Sequence, residues 1–77
     1  MENEINDRIQ NVMSSVLGVP IEEINDDASP DNIISWDSLK HMNLIIALEE
    51  EFSLELNDED IVEMVNYKLI VNILSKL

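Results

Sequence analysis

The stretch SWDSLKHMNLIIALEEEF, residues 35–52, decides the fold of this chain. Asp37 is a favourable N-cap residue, because its side chain can accept a hydrogen bond from a free backbone N–H group in the first turn of a helix. Neither proline nor glycine occurs between Ser38 and Phe52. We therefore predict a long helix that begins at Ser38 and ends at about Phe52.

This predicted helix carries apolar side chains on two separate sides when each residue advances by roughly 100°. The first stripe is expected to face the core. Its members are Leu44, Ile45, Leu48 and Phe52. The second stripe, flanked by Asn43, Glu49 and Glu50, is Leu39, Met42 and Ile46. Periodicity leaves two interpretations open for the second stripe: another part of the chain covers it, or it is a surface that binds something else.

Apolar spacing and capping residues predict three further helices. The first spans about residues 2–17 and ends at Gly18, the only glycine, which is a natural left-handed stop. Its core face is Ile5, Ile9, Val12, Met13, Val16 and Leu17. A short third helix is predicted from Asp58 to Met64, capped by Asn57 or Asp58. The fourth is capped by Asn66 and runs to about Lys76, and its core stripe is Ile70, Ile73, Leu74 and Leu77.

The long connection from Gly18 to Asp37 separates the first two predicted helices. Loops of this length in a small domain are usually functional or disordered, and the apolar side chains here argue against disorder. Those expected to anchor the loop on the core are Ile21, Ile24, Ile33, Ile34 and Trp36. A short helical turn is predicted near residues 21–25. The loop acids lack the spacing of an EF-hand, so we predict no metal site. The whole is predicted to be a single all-α domain over residues 1–77.

Composition limits the classes of function that the chain can have. Seventeen Asp and Glu against four Lys and Arg give a formal net charge of −13, which disfavours binding to nucleic acid and to anionic membranes and favours encounter with basic protein surfaces. Cysteine is absent, so no disulfide or thiolate metal site can form. The longest apolar run, from Leu44 to Leu48, is too short to span a membrane, and the start lacks the features of a signal peptide. We therefore expect a cytoplasmic monomer without membrane insertion.

The tripeptide Asp37-Ser38-Leu39 at a helix start resembles the motif of the acyl carrier protein family, which places Asp-Ser-Leu at the start of a long second helix. The resemblance continues through residues 47–52 (ALEEEF) and the acidic segment 57–61. It implies an acyl-carrier-like four-helix bundle. It also implies that a phosphopantetheinyl transferase moves 4′-phosphopantetheine from coenzyme A onto the Ser38 hydroxyl, with magnesium. The thiol of this arm then carries an acyl group as a thioester, and Asp37 and Leu39 complete the cofactor site.

The resemblance also gives the second stripe a role, because the second helix of these proteins docks on partner enzymes. Such partners are acyl-loading ligases, synthases and acyltransferases with basic docking surfaces. The implied contacts are Leu39, Met42, Ile46, Glu49 and Glu50, with Met64 from the third helix beside them. Methionine suits a surface that must fit several partners.

Nothing in the sequence predicts catalysis by the chain itself. A nucleophilic serine needs a nearby base that is oriented by a third group. His41 is the only histidine, and its helical position places it at the edge of the core rather than in the role of a base. Glycines are too few for a phosphate-cradling loop. We therefore predict that the chain has no catalytic activity of its own, and the resemblance implies a carrier that serves as a substrate for other enzymes.

Some positions depart from the pattern of primary fatty-acid carriers, which usually have a glycine and a small residue before Asp-Ser-Leu and an acid after it. Here those positions hold Ser35, Trp36 and Lys40. The departures favour a dedicated carrier in polyketide, modified-lipid or saccharide-acylation biosynthesis, and the bulky Ile70 favours a shorter or exposed cargo. Two alternatives stay open: an aminoacyl or peptidyl carrier with the same modified serine, and a helical adaptor without a prosthetic group.

Overall fold

A computed structural model describes the backbone of residues 2–76 and the side chains of residues 4–76. It contains helix α1 (Glu2–Leu17), a 3-10 turn (Ile21–Glu23), and helices α2 (Ser38–Phe52), α3 (Asp58–Glu63) and α4 (Tyr67–Ser75). Within residues 2–76 helices are the only regular elements, so the predicted all-α, acyl-carrier-like fold class is confirmed. Leu77, predicted for the core, lies outside the described residues. None of the helices described is long and apolar enough to cross a membrane.

Local capping explains where these helices begin and end. The side-chain oxygen of Asn57 accepts a hydrogen bond from Asp60 N, and that of Asn66 accepts one from Leu69 N, each at 2.8 Å. Gly18 has a φ of 68°, in the left-handed region, and its N–H donates to Ser14 O at 2.9 Å. These bonds satisfy backbone groups that a helix end leaves unpaired. The capping predictions at Gly18, Asn57 and Asn66 are confirmed, and α3 ends one residue before the predicted Met64.

The core lies where α1, α2 and α4 meet. It contains Ile9 and Met13 from α1, the first stripe of α2, and the apolar face of α4, all within one cluster. The α2 members Leu44, Ile45 and Leu48 are at most 2% exposed, whereas Phe52 is half-buried. Full burial of such a side chain stabilises the fold by about 1.5–3 kcal/mol. The first stripe of α2 therefore packs in the core, and the second stripe lies on the outside of the bundle.

Tyr67 begins α4 and is buried between the loop and the core. Its backbone N–H donates to Ala28 O at 3.0 Å, which attaches the loop to α4. Burial raises the pKa of the Tyr67 phenol, and the carboxylates of Asp26 and Asp7 raise it further.

Further hydrogen bonds anchor the loop that leads to α2. Gln10 Nε2 donates to Ile24 O, and Ser35 Oγ donates to Leu17 O, each at 2.7 Å. The apolar side chains that the loop buries are Ile24, Ala28, Ile33 and Trp36. The chain that precedes Ser38 is therefore held at both of its ends against α1.

The prediction that Ile34 anchors the loop is wrong, because its side chain is 96% exposed. Ile21 is also exposed, at 42%. Ile33, also predicted to anchor the loop, is buried, and its N–H donates to Ser29 O at 2.9 Å in a tight turn. Ile33 and Ile34 are adjacent in the sequence, which does not indicate which of the two is buried.

Arg8 connects the start of the bundle to the far end of α2. Its Nε donates to a carboxylate oxygen of Glu51 at 2.8 Å, and its Nη2 donates to Glu51 O at 2.6 Å. The guanidinium carbon lies 4.4 Å from the centre of the Phe52 ring, which adds a cation–π contact. The two side chains of the ion pair are 44% and 38% exposed, so solvent screens the pair and it contributes little to stability.

Candidate functional site

The N-terminus of α2 is a capped helix start with an exposed serine as its first residue. Asp37 has extended backbone geometry, with φ −104° and ψ −173°, and its Oδ1 accepts a hydrogen bond from Lys40 N at 2.9 Å. Its carbonyl oxygen accepts from His41 N at 2.8 Å, which is the first helical bond. Ser38 is exposed and carries its hydroxyl at this end of the helix. The cap thus fixes the backbone that presents Ser38 to solvent.

A tryptophan–histidine pair lies directly beside this serine. Trp36 Nε1 donates to His41 Nδ1 at 3.1 Å, and the two rings are stacked, with centroids 6.2 Å apart and an interplanar angle of 26°. An indole N–H can only donate, so Nδ1 must be unprotonated and a neutral imidazole then carries its proton on Nε2. Trp36 is 2% exposed and His41 is half-buried. This pair fixes the orientation of the His41 ring.

A mainly apolar groove of about 450 Å³ opens beside Ser38. It lies between the loop, the start of α2 and the link from α3 to α4. Its lining residues are Pro30, Trp36, Asp37, Ser38, His41, Met42 and Val65. Ser38, His41 and Met42 share it because residues three and four positions apart lie on one side of a helix. An exposed hydroxyl therefore lies at the edge of a groove that can hold an attached group.

The chain is similar to proteins that carry a covalent arm. Residues 7–74 match the family model described as "Phosphopantetheine attachment site". The chain is 40% identical over 58 residues to the acyl carrier protein of Buchnera aphidicola subsp. Schizaphis graminum. The matched stretch covers 75% of this chain and 73% of that protein. It is 32% identical over 75 residues to the acyl carrier protein of Guillardia theta, which covers 97% and 93% of the two chains.

The chain belongs to the acyl carrier protein family. A third relative, the acyl carrier protein of Cyanidioschyzon merolae, is 40% identical over 57 residues, which is 74% of this chain and 63% of that protein. The cofactor of the family is 4′-phosphopantetheine, as the resemblance implies. The residues at the start of α2 fit this group, because an exposed hydroxyl adjoins both a groove and the positive end of a helix that accommodates a phosphate.

The second stripe of this carrier is exposed. Leu39 is 71% exposed, Met42 50% and Ile46 52%. The interpretation in which another part of the chain covers the stripe is therefore wrong for residues 4–76. An unburied apolar row of this kind, with acids along its border, is typical of a surface that binds a partner.

The two predicted acidic contacts, Glu49 and Glu50, differ in their exposure and hydrogen bonding. Glu50 is exposed, whereas Glu49 is half-buried and its Oε2 accepts a hydrogen bond from Leu56 N at 2.9 Å. Glu49 thus holds the segment after α2 in place. Ile46, Glu49 and Glu50 together line a shallow depression on this side of the bundle.

The prediction that Met64 lies on the partner surface is wrong, because its side chain is 0% exposed. Met64 caps the C-terminus of α3, and its N–H donates to Asp60 O at 3.1 Å. This position directs the side chain into the core. The exposed apolar residues of the segment are instead Val62, at 72%, and Val65, at 52%. Val62, Met64 and Val65 lie within four residues of the sequence, so helical periodicity gives no signal that separates the two exposed valines from the buried methionine.

No hydrogen bond within residues 4–76 joins Ser38 to a base. His41, the only histidine, uses Nδ1 for its bond to Trp36. The residues that the structure describes contain no group of three or more ligating side chains that could hold a metal ion. Ser38 therefore presents an exposed hydroxyl at the start of α2.

Proposed function

We propose that the chain is an acyl carrier whose Ser38 hydroxyl receives 4′-phosphopantetheine from coenzyme A. In this reaction the Ser38 Oγ attacks the phosphorus next to the pantetheine, and a new P–O bond forms. The pyrophosphate P–O bond of coenzyme A breaks, and adenosine 3′,5′-bisphosphate leaves. The hydroxyl proton passes to a base on the phosphopantetheinyl transferase, and magnesium at that enzyme balances the phosphate charge.

The observation that carries this proposal is the exposed Ser38 at a capped helix start within the Asp-Ser-Leu motif. Ser38 lies within the matched residues 7–74. The positive end of α2 favours the negative phosphodiester that the reaction produces. Exposure also matters, because the transferase must reach the hydroxyl. The loaded arm would carry its acyl group as a thioester on its terminal sulfur, and the chain has no cysteine to compete with that thiol.

The experiment that tests attachment is an intact mass measurement before and after incubation with coenzyme A, magnesium and a broad-specificity phosphopantetheinyl transferase. We expect the wild type and a Ser15→Ala variant to gain one phosphopantetheine, because Ser15 is an exposed serine in α1, away from the motif. The Ser38→Ala variant should gain nothing. Modification of Ser38→Ala would show that the site is wrong. A folded, unmodified wild type that gains no mass would favour the helical adaptor without a prosthetic group.

We also propose that Leu39, Met42 and Ile46 dock on the enzymes that load and use the carrier, with Glu50 and Glu49 beside them. A small exposed apolar row within a chain of net charge −13 combines electrostatic attraction to basic surfaces with a limited hydrophobic contact. Such an interface forms quickly and dissociates easily. These are the properties that a carrier needs when it visits several enzymes in turn.

We propose that the carrier serves fatty-acid, polyketide, specialised lipid or saccharide-acylation biosynthesis. Lys40 and Trp36, which depart from the pattern of primary fatty-acid carriers, favour a dedicated carrier among these. An aminoacyl or peptidyl carrier would use the same Ser38. Enzymatic loading of the modified protein with acyl or aminoacyl donors, followed by intact mass, would separate the two classes. The cytoplasm stays the predicted compartment.

A further inference from the structure

We propose that the groove beside Ser38 is a binding site for the phosphopantetheine arm itself, in which the Nε2–H of His41 donates to the phosphate and Met42 and Val65 contact the apolar part of the pantetheine. This inference rests on the proposed attachment at Ser38. It assigns to Trp36 the role of a positioning residue, which acts on the arm only through His41.

The first step of the argument concerns the free nitrogen of His41. Its Nδ1 is engaged by Trp36 Nε1, which places the proton of the neutral ring on Nε2. Nε2 has no hydrogen-bond partner within residues 4–76. Every fully buried side-chain N or O atom among the described residues has a partner, so Nε2 is not one of these buried atoms. Nε2 is therefore accessible from outside. The structure thus presents an oriented donor on the same groove as the Ser38 hydroxyl.

The second step concerns what a donor at this place can bind. Ser38 and His41 are three residues apart on α2 and therefore neighbours on one side of the helix. A phosphate ester on Ser38 is an anion, and a hydrogen bond to an anion is about twice as strong as a neutral one. The Lys40 side chain is two residues from Ser38 and projects from another side of the helix. Within this groove His41 is the side chain that can donate to the anion.

The third step identifies the occupant of the apolar part of the groove. Met42 and Val65 are half exposed, at 50% and 52%, and both line the groove together with Ser38. A group attached to Ser38 is present at a high effective concentration, so even a weak contact with these side chains is populated. Pantetheine has an apolar geminal-dimethyl segment next to its phosphate end. The phosphate of the arm would therefore lie next to the His41 donor, and the apolar segment that follows it would lie next to Met42 and Val65.

The test uses isotope-labelled protein to which unlabelled phosphopantetheine has been attached, with the attachment established by intact mass. We expect nuclear Overhauser effects between the geminal methyl protons of the arm and the side chains of Met42 and Val65. We also expect the His41 Nε2 resonance to shift on attachment. A protein that has gained the mass but shows neither signal would overturn the inference and leave the proposed function standing. Absence of the mass gain would refute the proposed function itself.

Matched variants separate the hydrogen bond from mere proximity. His41→Phe keeps a ring but has no donor, whereas His41→Gln keeps an N–H donor. Loss of one hydrogen bond to an anion should lower the ratio of docked to free arm by about tenfold in His41→Phe, with recovery in His41→Gln. The readouts are the intensity of the arm-to-Met42 signals and the ³¹P shift of the phosphodiester. Equal values in both variants and the wild type would show that His41 does not hold the phosphate.

Trp36→Phe tests the positioning role, since phenylalanine keeps an apolar ring and cannot donate to Nδ1. In this variant we expect His41 to lose its strict preference for the Nε2–H tautomer, which the imidazole nitrogen shifts would show. We also expect the docked fraction of the arm to fall. Asn43→Ala, on an exposed position of α2 outside the groove, should change nothing. A second copy of the chain is the competing occupant. Concentration-dependent shifts at Met42 and Val65 before attachment would overturn the assignment, and constant shifts would support it.

Discussion

The Asp37→Ala variant is expected to lose about 1 kcal/mol of the free energy of unfolding, because it removes the acceptor that caps α2. The bond concerned joins Asp37 Oδ1 to Lys40 N at 2.9 Å, at an exposed helix start. Measured losses for such caps range from about 0.5 to 2 kcal/mol. In a chain of 77 residues, each kcal/mol corresponds to a fall of roughly 4–8 °C in Tm. Thermal and urea unfolding followed by far-ultraviolet circular dichroism would measure both quantities.

The matched control is Asp37→Asn, which keeps an acceptor oxygen and loses only the charge. A negative charge at the positive end of a helix contributes about 0.3–1 kcal/mol at low ionic strength. At about 1 M salt the Debye length falls to roughly 3 Å, so this contribution is screened. We therefore expect Asp37→Asn to approach the wild type at high salt, while Asp37→Ala stays less stable. An alanine variant as stable as the wild type, or an asparagine variant as unstable as alanine, would refute the assignment of the cap.

Three further changes test other parts of the structure. Met64→Ala should lower the free energy of unfolding by about 2–5 kcal/mol, because Met64 is fully buried. Val65→Ala, at an exposed site, should change it by about 0.5 kcal/mol or less. Urea unfolding of both variants would compare these losses, and equal losses would contradict the burial of Met64. Ile46→Glu should weaken binding of the carrier to its partner enzymes and leave Tm nearly unchanged; a collapse of Tm would show that Ile46 supports the core. Because the pKa of Tyr67 is raised in the folded protein, the folded state keeps a proton that the unfolded chain loses at alkaline pH. This contribution to stability should be complete below about pH 10, the ordinary pKa of tyrosine, and should fall as the pH rises further. Chemical denaturation at several alkaline pH values would measure the fall, which should disappear in Tyr67→Phe.

The helices could be predicted because their signals are local. Asp37, Asn57 and Asn66 each cap the helix that follows, and Gly18 adopts the left-handed conformation that ends α1. Each signal depends on a few neighbouring residues and on a helical period. The separation of α2 into a buried stripe and an exposed one follows from the same period, and the exposure of Leu39 confirms it.

The parts that could not be predicted depend on contacts between distant segments. Val62, Met64 and Val65 lie close together at the end of α3, and a helical period cannot decide which of them is buried. The structure buries Met64 and exposes the two valines. The loop presents the same problem at Ile33 and Ile34. The pairing of Trp36 with His41 also escaped prediction, because the loop geometry that brings the two rings together is set by bonds to α1 and α4.

Trp36 gives the protein a built-in optical probe at its site. It is the only tryptophan of the chain, so all indole fluorescence comes from this one position. Its ring is 2% exposed, its N–H is bonded to His41, and it lines the groove beside Ser38, so we expect its emission to change when a group enters the groove. The unlabelled protein can therefore report changes at the start of α2 through its own light emission, without a dye that would alter the surface.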